Sequence, residues 1–384
     1  MTTDSNINDR SAKYLFNASN LHVGGGVQVA TSVIGEWIAQ ARDLPHGLQF
    51  WVSSRVDESL KDAGYEVAEL PGYRVVDVHG YASIFSRDIL GVREFERVFT
   101  LFGPLYALRS PKYSIVGFAQ AWIVYPDNEV AGRTPFISRV LGRVKFLLQR
   151  AFFRRADLLV VELDHVANAL VGNGVATYDR IRIVRNCLGS IYSQPDRWRP
   201  LRRISSLAQV KIGFVGRNYS HKNTEMFPRL AQCLRSSYGL TVEFYVTFTD
   251  KEWAAVSVDF RKNVRNVGQL SVAQCPAFYD AMDGVIFPSL LECFSAAPLE
   301  ALAMRKPLFA SDRQFNRDIC GDYAFYFDPL DVQDAAAKIY EYFSDVDVWS
   351  SWLDDAECHA RSFSDARARA GAYLDLLVGS ADNA

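Results

Sequence analysis

Cysteine is sparse in this sequence and nowhere closely paired. Cys187, Cys233, Cys275, Cys293, Cys320 and Cys358 are scattered, without a C-x-x-C spacing, so neither a zinc site nor a disulfide framework is indicated. Long hydrophobic runs are lacking as well; none approaches the roughly 20 apolar residues of a membrane span. The amino terminus, Met1-Thr2-Thr3-Asp4-Ser5-Asn6, is polar and has no signal-peptide pattern. An excess of either charge is lacking, with 42 Lys and Arg against 44 Asp and Glu and a net charge of −2, which gives no global signal for nucleic acid. No internal repeat or low-complexity segment stands out. These absences predict a cytoplasmic protein, soluble or peripheral on a membrane, with no nucleic acid partner.

Core-forming material, in contrast, is ample. Of the 384 residues 49% are hydrophobic and only 22% charged, enough to bury a sizeable core; the length predicts two domains. After about ten residues expected to be disordered, Lys13 to Ala18 reads as a first strand. A glycine loop, His22-Val23-Gly24-Gly25-Gly26-Val27-Gln28, and a helical pattern from Val29 to Ala41 follow. Strand, glycine loop and helix suit a phosphate, because glycine lets backbone N–H groups approach closely. The same pattern also arises from steric need alone. The loop is not G-x-G-x-x-G, which disfavours a nicotinamide cofactor.

The most informative stretch is Glu292-Cys293-Phe294-Ser295-Ala296-Ala297-Pro298-Leu299-Glu300. It follows an apolar run, Gly284 to Ser289, that reads as a buried parallel strand. It leads into the helix formers Ala301-Leu302-Ala303-Met304 and stops at Lys306-Pro307. Ser295 is placed to cap that helix, and Pro298 is tolerated in its first turn. Free N–H groups at the helix start make an anion site. Two carboxylates flanking it can grip hydroxyls on either side of a bound diphosphate, which is how a nucleotide-sugar is held. Upstream, the strand Val210 to Val215 opens into Gly216-Arg217-Asn218-Tyr219-Ser220-His221-Lys222. An arginine fork and a lysine charge at a strand's mouth neutralise a departing diphosphate. Both side chains are expected to be exposed in the loop, and His221 to be a plain loop residue.

Glutamate, seven residues, glutamate after a strand, together with Gly-Arg, four residues, lysine, resembles the signature of retaining glycosyltransferases of family 4, of the bacterial surface-polysaccharide type. The resemblance covers most of the chain and is more specific in its second half. It implies an α/β architecture, the GT-B fold: two Rossmann-like, doubly wound domains facing a cleft, with a C-terminal helix crossing back to the first. On this reading residues 1–205 form the acceptor-side domain, 206–362 the nucleotide-sugar domain and 363–384 the returning helix. The tail from Asp331 to Leu377 reads as helices, with Trp349, Trp352, Phe363, Tyr373 and Leu374 as expected buried anchors.

By resemblance, Glu292 contacts the donor sugar hydroxyls, Glu300 the ribose, and Arg217 and Lys222 the diphosphate. Cys293, Phe294, Ser295 and Ala296 line the donor; Cys293 and Ser295 stand where glycines are usual. Leu270 falls in the segment whose backbone borders the base. Gly25 and Gly26 match the pair that lies under the diphosphate, and Gln28 faces the acceptor. Gln120 occupies roughly the place of a histidine found in many relatives near the reacting sugar. The implied attack comes from the face the phosphate leaves, and a phosphate oxygen can take the proton, so no separate protein base is required. The nucleotide-sugar, UDP- or GDP-linked, is a substrate; no cofactor or metal is expected, and Asp345-Val346-Asp347 is read as a chance surface match to a metal motif. The acceptor implied is a glycan or a lipid-linked saccharide. A sugar-nucleotide epimerase of the same fold and a non-catalytic sugar-nucleotide-binding partner remain as alternatives.

One further segment stands apart. From 133 to 155 the chain carries Arg133, Arg139, Arg143, Lys145, Arg150, Arg154 and Arg155 and no acid, interleaved with Phe136, Ile137, Val140, Leu141, Val144, Phe146, Leu147, Leu148, Phe152 and Phe153. Such a basic amphipathic helix fits either an anionic membrane surface or a scaffold helix whose apolar side faces the first domain's core.

Overall fold

The computed structural model describes residues 14–40, 44–133, 135–201 and 208–379. The first residues, expected to be disordered, and the proposed domain boundary near 205 lie outside them. The chain forms two compact units: residues 1–124, 135–186 and 365–384, and residues 125–134 and 187–364.

The first unit holds a seven-stranded parallel sheet: β1 (Tyr14–Ala18), β2 (Leu48–Val52), β3 (Tyr73–Val75), β4 (Arg97–Thr100), β5 (Tyr113–Gly117), β6 (Leu158–Val161) and β7 (Ile181–Ile183). Their order is β3-β2-β1-β4-β5-β6-β7. The second unit holds six: β8 (Val210–Phe214), β9 (Val242–Val246), β10 (Val264–Asn266), β11 (Gly284–Phe287), β12 (Leu308–Ser311) and β13 (Phe325–Phe327), ordered β10-β9-β8-β11-β12-β13. Strands such as Leu158-Leu159-Val160-Val161 are buried along their whole length, as expected where helices cover both faces of a parallel sheet. Both sheets reverse their winding once, between β1 and β4 and between β8 and β11. In such sheets ligands bind beyond the carboxyl ends of the strands at that switch point. The short edge strands β3 and β10 carry too little apolar pattern to be read from sequence.

The last helix, Ala366–Val378, returns to the first unit. Asp365 caps it, accepting the Ala368 N–H at 2.6 Å. Trp37 Nε1 donates to the Ala370 carbonyl at 2.9 Å, Tyr373 meets the Phe99 ring edge-on at 4.8 Å, and Arg369 bonds Asn186 and Ser32. Trp349 and Trp352 instead pack on Phe325 in the second unit, and neither they nor Phe363 is fully buried.

The chain passes from the first unit to the second at Asn186–Cys187, because the described residues after Cys187 pack on the second unit. The Arg199 N–H donates to the Ala273 carbonyl at 2.8 Å, and the Tyr192 ring lies 6.2 Å from that of Tyr279. The stretch 125–134, early in sequence, also belongs to the second unit. Ion pairs hold it there: Glu129 with Arg313 at 2.6 Å and Arg133 with Glu225.

The basic segment forms the helix Phe136–Phe153. Its last turn faces the core, with Phe153 fully buried 4.7 Å from the Phe118 ring, whereas further up the apolar side is open: Phe136 is 75% exposed, Ile137 73%, Leu141 65% and Leu147 61%.

Candidate functional site

The neighbouring strands β8 and β11 each end in a loop at the second sheet's switch point. The Leu290 N–H donates to the His221 carbonyl at 2.7 Å, which ties the loops together. Asn223 sits in the left-handed region with φ 55°, and its side chain donates to the Pro329 carbonyl at 2.8 Å. This turn aims Lys222 inward. Its ammonium lies 2.6 Å from Glu292 Oε1 and 4.8 Å from the centre of the Phe287 ring. His221 Nε2 stands 3.7 Å from the same oxygen. The Lys222 contact is an ion pair outside hydrogen-bond angles, so the buried Oε1 has no aligned donor. Burial, chiefly, pushes the His221 imidazole below its ordinary value, and Lys222 adds to this against the opposing pull of Glu292.

Two sequence expectations are corrected here. Lys222 is not an exposed loop residue: its side chain is 12% exposed, against 35% for Arg217. His221 is likewise not an exposed loop residue: its side chain is 20% exposed, and Nε2 lies 3.7 Å from the Glu292 oxygen, beyond hydrogen-bond distance.

The helix after this loop runs Ala296–Ala303, with Ser295 at the cap position. The Ser295 side chain makes no capping bond, so the first N–H groups keep their capacity for an anion. Cys293 is buried, and Phe294 lies 6.4 Å from Phe363. Glu300, one turn in, accepts a hydrogen bond from Tyr279 Oη at 2.8 Å. Burial raises its carboxyl above the ordinary value, opposed by the hydroxyls of Tyr279 and Tyr192. Leu270 and Val267 pack against the buried cluster of Tyr245, Phe278 and Met282. Tyr125, counted by sequence order with the first half, belongs to this unit. Burial, then the neighbouring Cys293, Asp318 and Glu292, drive its phenol well up. Neither Tyr125, Tyr192 nor Tyr279 carries a sequence signal for this site, because all three come from distant segments.

In the first unit, Gly25 and Gly26 open the helix Gly25–Ala39 at the end of β1. A Cβ at Gly25 would meet nothing within 4 Å, whereas one at Gly26 would come 3.1 Å from Leu21. Gly25 thus borders open space, while Gly26 allows close packing. Gln28 is exposed. Gln120 is partly buried and donates to Gln149 Oε1 at 3.0 Å, and Gln149 donates in turn to Tyr106.

Residues 209–345, which contain every donor-side position of the second unit named above, match the family described as glycosyl transferases group 1. The O-antigen chain mannosyltransferase RfbU of Salmonella typhimurium is 24% identical over 119 residues, 30% of this chain and 34% of that protein. The chain thus aligns with about a third of this curated relative. Among solved structures, Anabaena Alr3699/HepE in complex with UDP-glucose superposes with a TM-score of 0.67 at 14% identity, covering 96% of this chain and 99% of that one. WaaG, a glycosyltransferase involved in lipopolysaccharide biosynthesis, gives 0.66 at 14% identity, over 95% and 99%. Two parallel Rossmann-like sheets, with the last helix returning to the first of them, give this chain the GT-B fold, and its second sheet lies within the stretch that matches the group 1 glycosyl transferases.

Proposed function

We propose that the protein is a retaining hexosyltransferase that moves a sugar from a UDP- or GDP-linked donor to a glycan or lipid-linked acceptor in surface-polysaccharide assembly. The observation that carries this reading is the Lys222–Glu292 pair at 2.6 Å, set at the switch point ahead of an uncapped helix start. A diphosphate there meets Lys222, Arg217 and the helix N–H groups, which stabilise the charge that develops as the glycosidic bond breaks. Once Lys222 turns to the phosphates, Glu292 is free to accept from the donor sugar's hydroxyls. The acceptor hydroxyl attacks from the side the phosphate leaves, and a phosphate oxygen takes its proton. The UDP-glucose bound to HepE and the O-antigen role of RfbU support the class of substrate. The nucleotide-sugar is a substrate, and Arg217 and Lys222 supply the cationic charge in this reading without a cofactor or metal. Radiolabelled UDP- and GDP-hexoses test it: transfer to a saccharide acceptor is the expected result. Donor conversion without an acceptor would instead make the protein an epimerase.

The donor's ribose is the next expectation. Glu300 already accepts from Tyr279, which leaves capacity for a ribose hydroxyl. A hydrogen bond to a charged group is worth about 1.5–3 kcal/mol. UDP or GDP should therefore bind roughly tenfold more tightly than dTDP, and Glu300→Gln should narrow the gap. Calorimetry with the three diphosphates checks this; tightest binding of dTDP by the wild type would refute the ribose assignment.

The helix Phe136–Phe153 is assigned, within the same reading, to an anionic membrane surface. No described helix is long and apolar enough to cross a membrane. From Phe136 to Leu148 most of its apolar side is exposed, and Arg143 and Lys145 are exposed beside it. Arg150 and Arg154 are used within the unit, bonding the carbonyls of Asn173 and Gly174. At about 1 kcal/mol per basic residue near such a surface, Arg143→Gln with Lys145→Gln should weaken sedimentation with phosphatidylserine-containing vesicles roughly 10- to 30-fold. Ile137→Ser with Leu141→Ser should abolish it. Unchanged sedimentation in both double variants would return the helix to a scaffold role.

A further inference from the structure

We propose that Glu252 is a positioning residue for the donor diphosphate and acts through Arg217. This rests on the nucleotide-sugar reading above and adds a residue outside the two sequence motifs. Glu252 lies in the short helix Asp250–Ala255, beyond the carboxyl end of β9, next to β8 in the sheet. Its Oε1 accepts from Arg217 Nε at 2.7 Å and from the Asn218 N–H at 3.2 Å. Its Oε2 accepts from the Thr249 N–H at 2.9 Å and the Thr249 hydroxyl at 2.8 Å. A carboxylate has about four lone-pair sites, and here four donors use them, with the side chain only 14% exposed. Such a carboxylate gains nothing by changing partner. It differs in this from Glu292, whose Oε1 has no aligned donor.

A guanidinium is a rigid planar fork. With Nε held by Glu252 and the Tyr219 ring 5.8 Å from its centre, the plane of Arg217 is set. Its two terminal nitrogens are then available as a pair for phosphate oxygens. The same end of β9 fixes the backbone beneath: the Gly216 N–H donates to Thr247 Oγ1 at 3.0 Å. In the sequence Thr249-x-x-Glu252 signals only a helix start, a capping box, which the structure does contain. The fold gives this carboxylate a second task that local sequence does not reveal.

The task separates from capping in a double-mutant cycle read by calorimetry with UDP and GDP. Glu252→Gln should weaken whichever diphosphate the wild type binds by about tenfold. Adding Glu252→Gln to Arg217→Ala should cost no further affinity. The cap loss should lower the melting temperature equally in both backgrounds. Thr249→Ala removes the hydroxyl partner of the cap but leaves the Arg217 contact, and should melt earlier with unchanged affinity. Should Glu252→Gln fail to fold, Arg217→Lys keeps the charge but loses the Nε tie, and is expected to bind nearly as weakly as Arg217→Ala. Additive losses in the cycle, wild-type affinity in Glu252→Gln, or wild-type affinity in Arg217→Lys would each overturn the proposal. A wild type that binds neither diphosphate would instead remove the nucleotide-sugar reading on which it stands.

Discussion

Lys222→Ala and Arg217→Ala should each lower donor turnover by about a hundredfold or more, the usual loss when a preorganised charge-stabilising donor is removed. The two differ in stability. Arg217 is 35% exposed, and its alanine variant should fold normally. Lys222 and Glu292 are 12% and 13% exposed, and breaking a buried pair by removing one partner costs about 3–5 kcal/mol; the remaining exposure reduces this. Lys222→Ala should therefore melt earlier, and adding Glu292→Gln should restore much of the lost stability without restoring turnover. Melting curves and donor consumption on the same preparations separate the effects. Near-normal turnover in both single variants would remove the diphosphate assignment.

Glu292→Gln should move binding and turnover in opposite directions. In the free protein Glu292 competes with the donor for Lys222. Relieving that competition should tighten binding of UDP or GDP by about fivefold or more, since a mostly buried pair exceeds the about 1 kcal/mol of an exposed one. Turnover should fall about a hundredfold, because the amide no longer accepts charge-assisted hydrogen bonds from the donor sugar. Calorimetry beside a turnover assay gives both numbers. Weaker diphosphate binding by this variant would mean that Glu292 helps to hold the phosphates rather than the sugar.

Much of the second unit was legible because its signals are local. Arg217 and Lys222 follow one strand within a few residues, and the stretch Glu292 to Glu300 runs from loop into helix. Strand–loop–helix units show themselves through apolar runs, turn residues and caps. The first unit was less legible: Gly25 and Gly26 read alike, yet one borders open space and the other packs on Leu21. The direction of the Phe136–Phe153 helix was also open, since an amphipathic pattern records two faces but not which of them is covered.

By itself the amino-acid sequence determined the parallel α/β class and two motifs that carry the cations and carboxylates of the candidate site. Those properties depend on residues a few positions apart. The tertiary structure alone decided which charges meet. It paired Lys222 with Glu292, bound Arg217 to Glu252, set Tyr279 against Glu300 and brought residues 125–134 into the second unit. Each of these depends on sheet order, which places β8 between β9 and β11. Residues far apart along the chain become neighbours only when the strands that carry them lie side by side.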